Sequence, residues 1–351
     1  MREHSPLLRR LGQTIALAGL ASLAACERAV LNPAGDIALQ QRNLIYVSTA
    51  IMLLVVVPVI GMVIWFAWKY RSSNRAAQYD PKFHHSTALE LGIWSIPLLV
   101  IICLGAMTWS STHLLDPFRR LDRISEGRPT NPAEAPMVVQ VVSMDWKWLF
   151  IYPEQNIATV NELVLPVDRE VRFDITSTNM MNTFYAPTMA GMIYAMPGMQ
   201  SQLHAVLNRP GEFEGFSANY SGAGFSHMRF KLRSVSVGEF EQWTRQVQTV
   251  GTPLTTAGYL ALEHPTERHP ITLYSAAPRG LFDRVVNRCV APGTTCLAEQ
   301  MTHAGHPVPV QGEPAQSGER GPQGDAHAPA PSAHTAPVTG STAHGAHQQA
   351  R

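Results

Sequence analysis

The sequence predicts a membrane protein in two unlike parts: a helical hairpin of two transmembrane helices, then an all-β domain with a short helical extension and a disordered tail. Three observations carry this. Two apolar runs, 44–68 and 91–109, are almost free of charge. From residue 137 the pattern changes to short β-rich runs, and after about residue 304 large apolar residues nearly disappear. The averages over 351 residues, 45% apolar and 15% charged with a net charge of +1, conceal this segregation. Near-neutral balance argues against a nucleic-acid partner. Fourteen Met and seven Trp suit a membrane protein, and four Cys are too few for a disulfide scaffold and lack metal-ligand spacing.

Residues 1–25 have the layout of a lipoprotein signal peptide: Arg2, Arg9 and Arg10, an apolar run, then Leu23, Ala24 and Ala25 ahead of Cys26. Small residues before the Cys match a bacterial lipobox, cleaved once the thiol is lipidated; a plain signal peptide with an incidental Cys is the alternative. Lipidation would make Cys26 the mature N-terminus, outside the cytoplasmic membrane, although one lipid adds little to a chain already held by helices. Residues 26–43 then read as a periplasmic segment and 44–113 as the hairpin, with a cytoplasmic loop at 69–90.

The first run spans roughly 37 Å as a helix, enough for a ~30 Å hydrocarbon core with some tilt. Pro58 within it requires a neighbouring helix or polar group to meet the freed carbonyl. Charge alone does not orient the hairpin, since Lys69, Arg71, Arg75 and Lys82 in the loop balance Arg119, Arg120, Arg123 and Arg128 after the second span. With Cys26 outside, the loop is cytoplasmic and the chain after about residue 113 is periplasmic. The location is therefore a bacterial inner membrane.

The β-rich runs MVVQVVSM, KWLFIY, EVRFDITS, SQLHAVL, EFEGFSANY and MRFKLRSV are separated by turn residues such as Pro166, Pro187, Gly198 and Gly211. Short strands so punctuated predict a sandwich or Greek-key barrel over 125–236. The extension at 237–300 contains the amphipathic EFEQWTRQV and then aromatic-rich sequence. Its Cys289 and Cys296, in an oxidising compartment, could form a small disulfide loop or remain as free thiols or metal ligands. The tail at 304–351 cannot bury a core. His303, His306, His327, His334, His344 and His347 on or beside it could bind copper or zinc weakly, but a solvated tail is the simpler reading.

The stretches VVSMDWKWLFIYPEQNIATVNEL, MIYAMPGMQ and NYSGAGFS, with the lipobox and the two spans, resemble subunit II of the haem-copper respiratory oxidases. In cytochrome c-oxidising members a loop C-S-x-x-C-G-x-x-H-x-x-M and an upstream His hold the two-copper centre CuA. Laid on residues 216–231, the two Cys fall on Tyr220 and Gly224, the His on Met228 and the Met on Lys231, while the upstream His falls on Asn182. Copper of this kind takes soft thiolate and imidazole ligands, and none stands at these positions. The pattern is that of the quinol-oxidising branch, similar to subunit II of the cytochrome bo-type ubiquinol oxidases, with a cupredoxin-like domain lacking CuA.

This resemblance implies an accessory subunit of a proton-translocating oxidase passing electrons from ubiquinol to O₂. This chain would bind no cofactor, haem b, haem o and CuB belonging to subunit I, its main partner. Subunits III and IV, membrane lipid and ubiquinol complete the setting, without cytochrome c. Glu90, four residues ahead of Trp94 in ELGIWSIP, matches a glutamate near the proton entrance of such oxidases, with His84 and His85 beside it; an interfacial carboxylate reaching water is the plainer alternative. Trp146 and Trp148 are expected to pack on one face of a strand and Asp145 to be a surface carboxylate. Two other readings compete: a CuA-bearing cytochrome c oxidase subunit II, and a copper-delivery lipoprotein using Met180, Met181, Met189, Met192, Met196 and Met199, since thioethers suit Cu(I).

Overall fold

In the computed structural model the described residues are 29–77 and 83–303. The expected signal peptide, Cys26, and the tail from residue 304 with its histidines lie outside them.

Two long helices come first, α1 (Asp36–Lys69) and α2 (Thr87–Leu114), both apolar enough to cross a membrane and packed against each other. Helix α1 begins well before residue 44, where the apolar run starts. The polar turns DIALQQRN continue the helix because Asp36 sits in the first turn, where a carboxylate complements the exposed N–H groups. Hydropathy reports only the part that matches lipid; capping and packing decide where a helix stops.

The strands follow: β1 (Arg123–Ser125) and β2 (Arg128–Pro129) as a small hairpin, then β3 (Met137–Met144), β4 (Lys147–Tyr152), β5 (Ile157–Val160), β6 (Glu162–Pro166), β7 (Val171–Ser177), β8 (Asn182–Tyr185), β9 (Ile193–Ala195), β10 (Ser201–Ala205), β11 (Gly211–Ser217) and β12 (Arg229–Val235). The extension supplies α3 (Val237–Val250), β13 (Thr252–Pro253), α4 (Thr256–Glu263), β14 (Thr272–Ala276), α5 (Leu281–Val286) and α6 (Leu297–His303). Among the described residues the main sheets are a seven-stranded one, ordered β10-β7-β3-β4-β5-β14-β13, and a five-stranded one, ordered β6-β12-β11-β8-β9. Pairing is mostly antiparallel, with parallel joins at β3–β7, β6–β12 and β13–β14 where the chain crosses over. The extension, expected as helical, therefore also adds two strands to a sheet edge. Its β14 pairs with β5 through Thr272–Val160 and Leu273–Thr159, so backbone groups at that edge are met by the chain itself.

Between the two sheets lies an aromatic core. Phe184 and Phe230 stack with centroids 5.3 Å apart, and Trp148 and Phe150 meet them edge-on at 5.5 and 5.1 Å. Helix α3 extends this core, with Trp243 5.5 Å from Tyr152. The opposite face of the seven-stranded sheet is also buried: Leu149, Ile151 and Val160 pack with Tyr259, Leu262, Phe282 and Val285 of α4 and α5. Strand β4 is thus covered on both sides, which explains why KWLFIY reads as a continuous run rather than an alternating one.

The hairpin joins the β domain through a small set of contacts. The N–H groups of Ala34 and Gly35 both donate to the Thr188 carbonyl, at 2.7 and 3.0 Å. A Cβ at Gly35 would stand 2.2 Å from the Val206 carbonyl oxygen, so only glycine fits there. Buried Asp36 accepts from Arg123 Nε at 2.9 Å, and buried Glu170 accepts from Arg120 Nε, Leu121 N–H and His204 Nδ1 at 3.0–3.1 Å. Burial pushes the His204 pKa down; Glu170 opposes this, while Arg172 and Arg120 reinforce it.

A histidine held neutral in the fold, with a lowered pKa, contributes stability that is present above its unfolded value of about 6.5 and is lost as pH falls below it. The denaturation midpoint of the full chain in detergent, followed by tryptophan fluorescence, is expected to fall between pH 7.5 and 5.5, and His204→Gln to flatten that fall.

Candidate functional site

The positions singled out by sequence lie at one end of the β domain, where β8, the β11–β12 connection and the β3–β4 turn converge. Asn182 opens β8 and is buried; its Oδ1 accepts from Ser217 Oγ at 3.1 Å and its Nδ2 donates to the Met180 carbonyl at 3.3 Å. Because β8 pairs with β11, Asn182 lies beside the 218–228 loop, and Ala218 N–H donates to Thr183 O at 3.1 Å.

Each remaining position has its own environment. Tyr220 is 75% exposed and its ring meets Phe225 edge-on at 5.6 Å. Gly224 is buried beneath Trp146, where an added Cβ would fall 2.4 Å from the indole ring. Met228 is fully buried in the aromatic core. Lys231 lies on β12 with its Nζ 2.8 Å from Glu212 Oε1. The fold gathers Asn182 and the loop side by side, but it directs Met228 inward, Lys231 to an ion pair and Tyr220 to solvent. Among the described residues no three or more His, Cys, Asp or Glu are grouped so as to hold a metal.

The tryptophan expectation is corrected. Trp146 and Trp148 do not share a strand face: Asp145 and Trp146 form the two-residue link between β3 and β4, and β4 begins at Lys147. Trp146 takes φ +66, a conformation costly for a bulky residue, and its Nε1 donates to Ser221 O at 2.9 Å. The turn aims the indole across the loop, whereas Trp148 points into the core. Asp145, expected at the surface, is half-buried and accepts from Asn179 Nδ2 at 3.3 Å.

Sequence reasoning missed a strap over this end, residues 264–270. Lys147 is fully buried, and its Nζ donates to His264 O at 2.7 Å and Asp145 O at 3.4 Å. Burial lowers its pKa, Asp145 opposing. Asn161, at φ +58, takes Trp148 N–H on its Oδ1 at 2.9 Å and donates Nδ2 to His269 O at 2.8 Å. Arg268 Nη2 reaches His227 Nε2 at 3.0 Å, joining strap to loop. A lysine heading an apolar run is the one local signal that could have revealed this latch.

Elsewhere, Glu90 lies in the first turn of α2, exposed, with Oε1 2.7 Å from His85 Nδ1. Cys289 and Cys296 are joined as a disulfide with Cα atoms 4.8 Å apart. The six methionines do not form one surface, since Met189 is buried in the core while Met180, Met181, Met192 and Met199 are exposed. A copper-delivery surface built from the whole set is therefore disfavoured.

Residues 152–235 match the family model described as cytochrome c oxidase subunit II, periplasmic domain, and residues 248–293 match the COX aromatic rich motif. The first match accords with the cupredoxin-like expectation. The chain is 47% identical over 270 residues to a cytochrome bo(3) ubiquinol oxidase subunit 2 of Pseudomonas putida, covering 77% of this chain and 83% of the relative. It is 42% identical to a ubiquinol oxidase subunit 2 of Acetobacter aceti, covering 80% and 89%, and 33% identical to a quinol oxidase subunit 2 of Bacillus cereus, covering 73% and 86%. A solved periplasmic domain of cytochrome oxidase subunit II from Bradyrhizobium japonicum is 22% identical, covering 32% of this chain and 94% of that one, with a TM-score of 0.31.

Two substitutions test this architecture. Gly224→Ala is expected to destabilise the domain by about 1–3 kcal/mol, through overpacking against Trp146, and to change tryptophan emission. Lys147→Met leaves the His264 carbonyl without its donor and is expected to cost about 1–3 kcal/mol, read as faster hydrogen exchange and proteolysis across 264–270.

Proposed function

The chain belongs to the ubiquinol oxidase subunit 2 family, and from that premise we propose that it is the accessory subunit 2 of a terminal oxidase that carries electrons from ubiquinol to O₂. The observation that carries this reading is chemical. An amide engaged with Ser217, a solvent-facing phenol, a glycine, a core thioether and a paired ammonium stand where a CuA centre needs two thiolates, two imidazoles and a thioether. The frame of an electron-entry domain is kept without the ligands that would make it one. Electrons then enter elsewhere in the complex, at subunit I, which would carry haem b, haem o and CuB and to which subunits III and IV would be joined.

On this reading the hairpin braces subunit I within the inner membrane and the β domain covers its periplasmic face. Lipidation at Cys26 would place the N-terminus outside and the 69–90 loop in the cytoplasm. Glu90 would then stand at the proton-input side. Its contact with His85 supports a proton-collecting role, because an imidazole beside a carboxylate at a membrane face can accept a proton from water and exchange it with its neighbour.

Complex isolated through this chain is expected to contain haem and copper, to consume O₂ with ubiquinol and not with reduced cytochrome c, and to lack the near-infrared absorbance of CuA. Glu90→Gln is expected to slow quinol-dependent O₂ uptake most above pH 7, where protons are scarce, while leaving the KM for quinol unchanged. Cytochrome c oxidation, with two coppers carried by this subunit, would contradict the assignment.

A further inference from the structure

Where the two spans meet the β domain there is a cavity of about 200 Å³ with charges of both signs on its wall. Asp36 and Gln40 enter from α1, and Arg119, Asp122 and Arg123 from the segment after α2. Asp36 Oδ2 accepts from Gln40 Nε2 at 2.7 Å and Arg123 Nε at 2.9 Å, while its buried Oδ1 has no partner among the described residues. Arg119 Nη2 donates to Asp122 Oδ2 at 2.6 Å. Among the described residues, the remaining guanidinium nitrogens of Arg119 and Arg123 have no hydrogen-bond acceptor.

A second hollow, of about 280 Å³, adjoins this one and shares Gln40 and Leu114 with it. It runs between the two helices and is lined by Leu44, Val47, Met107 and Leu115. A charged chamber thus adjoins an apolar groove. The depth is also defined. Gln40 lies four residues, roughly 6 Å, beyond the start of the apolar run at Leu44, and Asp36 roughly 12 Å beyond it. Headgroups occupy the 5–8 Å or so outside each face of the hydrocarbon core, so Gln40 lies in the headgroup layer, Asp36 just beyond its outer edge where the terminal amine of a headgroup would reach, and the groove in the acyl layer.

We propose that this is a binding site for one zwitterionic, amine-bearing phospholipid, such as a phosphatidylethanolamine. The phosphate lies against the free guanidinium donors of Arg119 and Arg123, the ammonium against the Asp36 and Asp122 carboxylates, and one acyl chain in the interhelical groove. Guanidinium groups suit phosphate because their planar donors match its oxygens. The paired carboxylates select against an anionic lipid with no amine, which would place its charge beside Asp36 and Asp122 without neutralising them. The lipid expected on Cys26 is a different occupant: a diacylglyceryl thioether carries no phosphate, so it could fill the groove but would leave the guanidinium donors of the chamber unmet.

The test uses the complex isolated through this chain, stripped of lipid in detergent and reloaded with phosphatidylethanolamine, phosphatidylglycerol or diacylglycerol. Native mass spectrometry then counts retained lipids. Loss of one charge-assisted contact is worth about tenfold in affinity. Arg119→Gln is therefore expected to weaken retention of one phosphatidylethanolamine about tenfold, and its exposed bond to Asp122 makes it a mild change to the fold. Val47→Trp, which fills the groove and leaves every charged residue in place, is expected to release the same molecule. Asp122→Asn should narrow the preference for phosphatidylethanolamine over phosphatidylglycerol. Equal retention of the two phospholipids by the unaltered complex would overturn the proposal, as would undiminished phosphatidylethanolamine in both Arg119→Gln and Val47→Trp.

Discussion

Burial of the seven-stranded sheet on both faces is the constraint on which the rest of this structure depends. Strand β4 puts Trp148, Phe150 and Tyr152 into the core between the sheets and Leu149 and Ile151 into a second core. Neither set can be left in water without forfeiting about 1.5–3 kcal/mol for each large side chain. The chain must therefore supply a cover after the sandwich is complete. The extension does so, with α4 and α5 lying on the outer face and β14 closing the edge beside β5. The extension is thus part of the domain's core, and the latch from Lys147 to His264 fastens its connecting strap to the strand that needs it most.

The junction between membrane and domain works by a different physics. It is narrow and relies on polar contacts: glycine at 35 so that backbones can approach, buried Asp36 with Arg123, and buried Glu170 receiving Arg120, Leu121 and His204. A buried carboxylate that loses its donors is expensive, so such links fix geometry firmly once formed. They hold the segment after the second span in register with β7 and β10, and so hold the β domain at a set orientation to the hairpin. The same charges shape the chamber at the membrane surface.

At the far end of the domain, the 218–228 loop is held in place by aromatic packing. Phe184 precedes the loop and Phe230 follows it, and their stacked rings carry both strands. Trp146, held at positive φ, lies across Gly224 and closes the space that any side chain at position 224 would need. Met228 turns inward and joins the core.

Much of this was legible in the sequence. The spans follow from apolar length, several strands from β-rich runs between turn residues, and the donor chemistry at Asn182, Tyr220, Gly224, Met228 and Lys231 from residue identity alone. These are properties of local composition and residue chemistry, which the sequence carries directly. The short strands β5, β6, β8 and β9 are not legible there, because three to five residues hold too little periodicity to separate them from loops. Trp146 reads as strand from the sequence because a two-residue turn looks like strand until the Met144–Lys147 pairing is known. Only tertiary structure decided that Asp36 meets Arg123 across 87 residues and that Lys147 reaches His264 across 117, because such contacts depend on which surfaces the packed sheets bring together.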